Sequence, residues 1–435
     1  MVITNRISSF HINKGKLTSP LFTFCFIWLS VYFLYALGLS DLLIFPLSEI
    51  SYTVFIIISP FLVGYFLFSL IDRLAPKKIK NYNFGTKDFY NGARKALKKT
   101  KLLTFIFFIL VLFEIAIAGY VPLLSMAAGH TISQFSFGIP SLHGFILAFG
   151  CLLVASNYYD YICFKNRKSL MLALLIIFVF VLLVTRKMIM VSFIQMGMIH
   201  LLTTKIKPKT IFLVIFSVLF VFVLFGYIGD IRTGRQLFIQ LAHPSFDYPE
   251  WLPSGFMWAY IYIVTPIVNL TNAIHMGQVD SNLNFLCTLL PKVARGALQC
   301  AVTDEDAFAR SYQISGAFNV GSGYIEIFLS QGILGMVVFS FIHGIISSYI
   351  YKRVNKKKPA ILLFSVISQI NLLLIFGNGY FNLNVLAQIP MALLLFDNKR
   401  INYIYQDNSN SNSNSNSNSN SNSNSNSNSN SSIGV

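Results

Sequence analysis

Charged and aromatic side chains gather in a few places of a chain that otherwise carries little charge. Gly229-Asp230-Ile231-Arg232-Thr233-Gly234-Arg235 sets two guanidiniums and a carboxylate in a flexible turn directly after an apolar run. Further along, Arg295, Asp304-Glu305-Asp306 and Arg310 precede the stretch Ser315 to Gly323, whose glycines at 316, 321 and 323 permit close backbone approach. Glu326 follows within the next apolar run, with Gln331-Gly332 and Gly335 behind it, and Arg186 stands at Thr185-Arg186-Lys187 between two apolar segments. A guanidinium clamps phosphate oxygens bidentately and stays charged at any working pH. Aromatic rings can stack on sugar faces, carboxylates can bind hydroxyls or take their protons, and cations stabilise negative charge on a departing group. Together these residues suit a substrate with a diphosphate and sugar rings.

Each has a plainer reading beside the chemical one. Arg186 is either an anion ligand or a snorkelling interface anchor, and Glu326 either a general base or the anchor of an arginine. Asp230, His243, Asp247 and Glu250 compete with Glu326 for the role of base. Glu114, inside another apolar run with no motif around it, reads as a helix-to-helix hydrogen bond. Asp304-Glu305-Asp306 reads as a solvated acidic tip, and the seven histidines show no metal-ligand spacing, so no metal site and no cofactor are expected. An oxidising compartment would permit a disulfide between Cys287 and Cys300, which their spacing neither requires nor forbids.

The elements that must position these residues are membrane helices. Hydrophobic residues make up 55% of the 435, charged ones 11%, and mean hydropathy is +0.63, a balance that no soluble domain of this size keeps in solution. The apolar stretches are continuous and not short alternating segments, which excludes a barrel. The expected fold is all-α, a polytopic bundle of about ten spans: Leu21 to Leu39, Pro46 to Ile71, Leu102 to Leu124, Ile139 to Tyr158, Ser169 to Thr185, Met188 to Thr203, Thr210 to Gly229, Ser322 to Tyr351, Pro359 to Phe376 and Phe381 to Phe396. Residues 169 to 203 would make a helix of about 52 Å, too long for one ordinary span and suited to two short ones with Arg186 at the tip of a hairpin. The domains are then a tail over 1–20, helices over 21–229, an outward loop over 230–321, helices over 322–398, and a tail over 399–435 whose Asn-Ser alternation can bury nothing.

The net charge of +17 does not point to nucleic acid, because the basic residues cluster between apolar runs as cytoplasmic loops do. Of the 33 lysines and arginines, this topology leaves only Arg186, Lys187, Arg232, Arg235, Lys292, Arg295 and Arg310 outside. Both flanks of the loop lie outside, so its apolar segment Phe256 to Ala273 is expected as a re-entrant or interfacial helix bent at Pro266, with Trp251, Trp258, Tyr260 and Tyr262 at headgroup level. No cleavable signal peptide is read at the start of the chain.

In architecture up to Asn398, and in Thr185-Arg186, Gly229-Asp230-Ile231-Arg232, the run Tyr262 to Leu270 and Gly323-Tyr324-Ile325-Glu326 through Gly335, the chain resembles the Wzy-type O-antigen polymerases. The resemblance implies a metal-independent, multi-pass glycosyltransferase of the bacterial inner membrane with both termini in the cytoplasm. Its substrates would be undecaprenyl-diphosphate-linked oligosaccharides within membrane lipid, and a chain-length regulator protein is a further implied partner. Carried onto this sequence, Arg186 and Arg232 would bind diphosphate or sugar-phosphate oxygens, with Glu326, Arg232 and Asp230 at the reacting centre. Arg235, Arg295 and Arg310 join the binding set from the charge argument alone. An O-antigen ligase would be expected to carry a His-Asn pair where Gly321-Ser322-Gly323-Tyr324 stands here. A lipid-linked oligosaccharide flippase would show more spans, shorter loops and charges through a central cavity, whereas these helices read as nearly free of charge.

Overall fold

The computed structural model describes residues 14–74, 86–129, 137–204, 230, 234–277, 279, 285–290, 297–298, 311–354 and 357–396. The expected span Thr210 to Gly229, Arg232, Arg295, Arg310, Cys300, the Asp304-Glu305-Asp306 cluster and the Asn-Ser tail lie outside the described residues. Those described are helical, with an isolated bridge between Ser40 and Pro244 in place of any sheet.

The helices are α1 (Pro20–Ala36), α2 (Leu47–Leu74), α3 (Thr86–Ala118), α4 (Pro122–Ala127), α5 (Leu142–Phe164), α6 (Arg167–Leu182), α7 (Arg186–Thr203), α8 (Arg235–Ala242), α9 (Gly255–His275), α10 (Ile325–Arg353), α11 (Lys358–Leu373), α12 (Leu383–Leu386) and α13 (Gln388–Leu395). Leu47–Leu74, Lys95–Ala118, Leu142–Phe164, Gly255–His275 and Ile325–Arg353 are long and apolar enough to cross a membrane, and shorter apolar helices accompany them. Large apolar side chains such as Phe55, Phe66, Leu112, Phe178 and Leu334 point outward from the bundle, as a hydrocarbon solvent allows and water does not.

Two packed halves make up the bundle. One core is built from α3, α5, α6, α7 and α11, the other from α1, α2, α9 and α10. Glycines bring α2 and α10 together: a Cβ at Gly64 would overlap the Phe341 carbonyl, and one at Gly344 the Phe61 carbonyl. Such close backbone approach is how helices associate when hydrophobicity gives no preference between protein and lipid. One end of the bundle collects Lys14, Lys165, Arg167, Lys352, Arg353 and Lys358, and we call it the basic end. The other, where α1 passes into α2, is the loop end. Residues 242–245 are strapped to it, with Ser40 Oγ donating to the Ala242 carbonyl (2.6 Å) and Ser245 Oγ to that of Gly38 (2.6 Å).

Helix α9 continues as one helix through Pro266, because packing against α1, α2 and α10 outweighs the one backbone bond a proline removes. Its contacts place it across the loop end. Tyr260 Oη accepts from Leu39 N (3.1 Å), Thr271 bonds Thr53 (3.0 Å) and His275 lies 3.7 Å from Glu49, all near the turn from α1 to α2. By length and composition α9 is also one of the helices able to cross a membrane.

The expected single span Ser322 to Tyr351 is corrected. Gly332 takes φ +61° and ψ −159°, a conformation open to glycine, and the chain doubles back there. A straight helix would hold Tyr324 and Ser340 about 24 Å apart, yet their hydroxyls meet at 2.8 Å and Ile327 packs against Gly335. The crossing segment is therefore 333–353, and residues 325–331 form a short arm laid against it. Glu326 sits on that arm and not one turn inside a span.

Candidate functional site

The turn between α6 and α7 sets one wall of the site. Thr185 closes it locally, giving both its N–H (3.0 Å) and its Oγ1 (3.2 Å) to the Phe180 carbonyl, while Val184 takes a positive φ of 57°. Met188 then packs on Cys151, nine residues into α5, so the hairpin tip stands about 14 Å below the start of that helix. The expected pair of short spans with Arg186 at its tip is present as a helical hairpin, and it is sunk.

The arm carrying Glu326 supplies the opposite wall. Gly323 N donates to the Leu374 carbonyl (2.7 Å), and Asn378 Nδ2 donates to the Gly323 carbonyl (3.0 Å). A Cβ at Gly323 would lie 2.8 Å from that Leu374 oxygen, so only glycine lets the chain dip here. The approach to the dip is pinned by Asn269, fully buried in α9, which donates to the Phe318 (2.9 Å) and Val320 (3.0 Å) carbonyls and accepts from Ile314 N (3.0 Å). Asn272, one turn on, donates to the Tyr312 carbonyl (2.8 Å).

These walls bring Glu326 within electrostatic range of Lys187 from the other half of the bundle, and of Tyr312. Burial holds the Tyr312 phenol above its ordinary range, and the Glu326 carboxylate adds to that rise. Glu326 is half-buried and Lys187 is exposed. Among the described residues neither side chain has a hydrogen-bond or ion-pair partner. Arg186 is exposed beside them.

The remaining expected residues stand elsewhere. Asp230 accepts from Ser254 Oγ (2.6 Å), and Arg235 Nη2 donates to the Pro249 and Leu252 carbonyls (2.9 Å each) with its guanidinium over the Tyr248 ring (5.6 Å). Both brace the 248–254 turn, and no contact among the described residues joins them to Glu326. His243, Asp247 and Glu250 are exposed near that turn. Glu114 makes the expected helix-to-helix bond, to His143 Nδ1 (2.9 Å). Sequence reasoning missed the proximity of Lys187 to Glu326 and the anchors Asn269 and Asn272. The anchors had a readable signal, two amides at a spacing of three within an apolar run, whereas no local pattern couples residue 187 to 326.

Cys287 is disulfide-bonded, and Cys25, Cys151 and Cys163 are free. No group of three His, Cys, Asp or Glu among the described residues is placed to hold a metal ion. Compared with known proteins, the chain matches no protein family, no curated protein and no solved structure.

Proposed function

We propose that this chain is a membrane glycosyltransferase, an O-antigen polymerase of the Wzy type, joining undecaprenyl-diphosphate-linked oligosaccharide units at the outer face of the bacterial inner membrane. The observation that carries the reading is the half-buried Glu326, without a hydrogen-bond or ion-pair partner among the described residues and within electrostatic range of Lys187 from the other half of the bundle. A partly buried carboxylate left unpaired among apolar helices is costly unless a substrate meets it.

In the proposed reaction an acceptor hydroxyl attacks the anomeric carbon of the growing glycan and the bond from that carbon to the lipid diphosphate breaks. Glu326 takes the hydroxyl proton, while Lys187 and Arg186 stabilise the charge left on the diphosphate, with Arg232, Arg295 and Arg310 as further expected ligands from the loop. Asp230, held by Ser254, is the second choice of base. Support for the loop end facing outward comes from the disulfide at Cys287 and from the concentration of lysine and arginine at the opposite end. The proposal keeps ten crossings with both termini in the cytoplasm.

One observation favours a second reading, a flippase or other transporter. The helices are not as free of charge as their sequence suggested, since Asp160 and Lys358 pair inside the bundle and Glu114 is fully buried. Deletion of the gene followed by gel analysis of lipopolysaccharide separates the readings. A lost polymerase leaves core plus a single repeat unit, a lost flippase or ligase leaves bare core, and an unchanged ladder rejects all three. Re-expressing Glu326→Gln should reproduce the deletion pattern, and a normal ladder from it would remove the proposed base.

A further inference from the structure

The turn over residues 243–254 makes no contact with Glu326 or Lys187 among the described residues, yet many hydrogen bonds fix it. Arg235 ties two of its carbonyls, Tyr248 Oη donates to the Pro253 carbonyl (2.7 Å), Asp230 holds Ser254, and Ser40 and Ser245 strap its start to the turn between α1 and α2. At the tip of this rigid frame Trp251 is 81% exposed. Phe246 is also exposed, its ring 6.0 Å from that of Tyr248, and the carboxylates flanking the tip, Asp247 and Glu250, face solvent.

An exposed tryptophan near a bilayer has two common occupants, the headgroup region and a ligand. Anchoring in an anionic surface calls for a free lysine or arginine beside the ring, but Arg235, the arginine at this turn, is spent on the Pro249 and Leu252 carbonyls, and the two exposed carboxylates are repelled by such a surface. Sugar rings want the opposite arrangement. Their weakly positive C–H faces lie on the negative face of an aromatic ring, and their hydroxyls donate to carboxylates at the rim. A frame fixed beforehand also lowers the ordering cost of holding a flexible chain.

We infer that the Phe246 to Trp251 turn is a docking site for a neutral stretch of glycan, separate from Glu326 and Lys187, with Trp251 as stacking platform and Asp247 and Glu250 as hydroxyl acceptors. The site holds the saccharide chain and takes no part in bond making. The identity of the glycan as this protein's own product rests on the polymerase reading; the stacking chemistry does not.

The test uses full-length protein in nanodiscs and oligosaccharides of one to several repeat units, released by mild acid from the surface polysaccharide of the producing cells. The chain has three tryptophans, of which Trp28 is fully buried and Trp258 is stacked on Phe238 at 4.0 Å, so a Trp251→Phe control isolates the signal of the third. Trp251 emission should be quenched by aqueous acrylamide and not by brominated lipid, and the oligosaccharide should protect it severalfold. Affinity for a fluorescently labelled oligosaccharide should fall about tenfold or more in Trp251→Ala, stay near wild type in Trp251→Tyr, and fall about threefold in Asp247→Asn. Quenching by brominated lipid would make the turn a membrane anchor and overturn the inference, as would equal affinity in Trp251→Ala and wild type. If Glu326→Gln still polymerises while Trp251 binds glycan, the catalytic reading fails and the docking site stands.

Discussion

Two carboxylate-lysine encounters, one toward each end of the bundle, use the same chemistry for opposite ends. At the basic end Lys358 Nζ lies 2.8 Å from both Asp160 oxygens and donates to Thr100 Oγ1 at 2.8 Å, with the Phe396 ring 5.0 Å away and Tyr159 at 5.8 Å. All three ammonium donors are used and water is shut out, so the pair fixes α3, α5 and α11 against one another and offers nothing to a ligand. Toward the loop end Glu326 and Lys187 lie within electrostatic range of each other without forming an ion pair. A satisfied buried pair is scaffold, whereas an unsatisfied one held by well-bonded neighbours is where a substrate's charge and proton would fit.

Breaking the closed pair should give the largest effect. Asp160→Ala leaves an uncompensated ammonium in the interior and should cost about 3–5 kcal/mol, read as a lower melting temperature and a lost monodisperse peak in detergent. Asp160→Leu combined with Lys358→Met should recover most of that loss. Glu326→Gln should behave in the reverse manner. Its folded yield and melting temperature should match wild type, while transfer between purified lipid-linked repeat units falls by about 100-fold or more, worth about 2.7 kcal/mol of barrier. Lys187→Met should follow with a loss of about 100-fold, and Lys187→Arg should keep much of the rate because the charge remains. A melting temperature for Glu326→Gln as low as that for Asp160→Ala would erase the distinction, since both pairs would then be scaffold.

The sequence made the closed pair harder to see than the open one. Apolar runs located most helices to within a few residues, because composition changes sharply where a chain leaves hydrocarbon, and length together with the basic clusters on both flanks revealed the α6 to α7 hairpin. Asp160 and Lys358 fell just beyond the ends assigned to two runs, and they are 198 residues apart, so nothing local joins them. Glu326 was legible as a carboxylate in an apolar run. Its true setting was not, because a lone glycine in a long apolar stretch reads as a weak helix residue and not as a reversal.

Gly332 offers the mildest way to sharpen the comparison. Its φ of +61° places it where a Cβ is strained, and among the described residues the one atom near where that Cβ would stand is Val279 Cγ2 at 3.6 Å. Gly332→Ala should therefore cost about 1–2 kcal/mol through the backbone alone, a melting shift of a few degrees. The strain acts on the arm 325–331 and not on the segment 333–353, whose glycine contacts with α2 are untouched. If the arm relaxes even slightly, Glu326 leaves its place opposite Lys187, so the transfer rate should fall by more than the melting shift implies while Asp160 and Lys358 stay paired. Activity and melting temperature falling in proportion would mean that the arm is part of the scaffold after all.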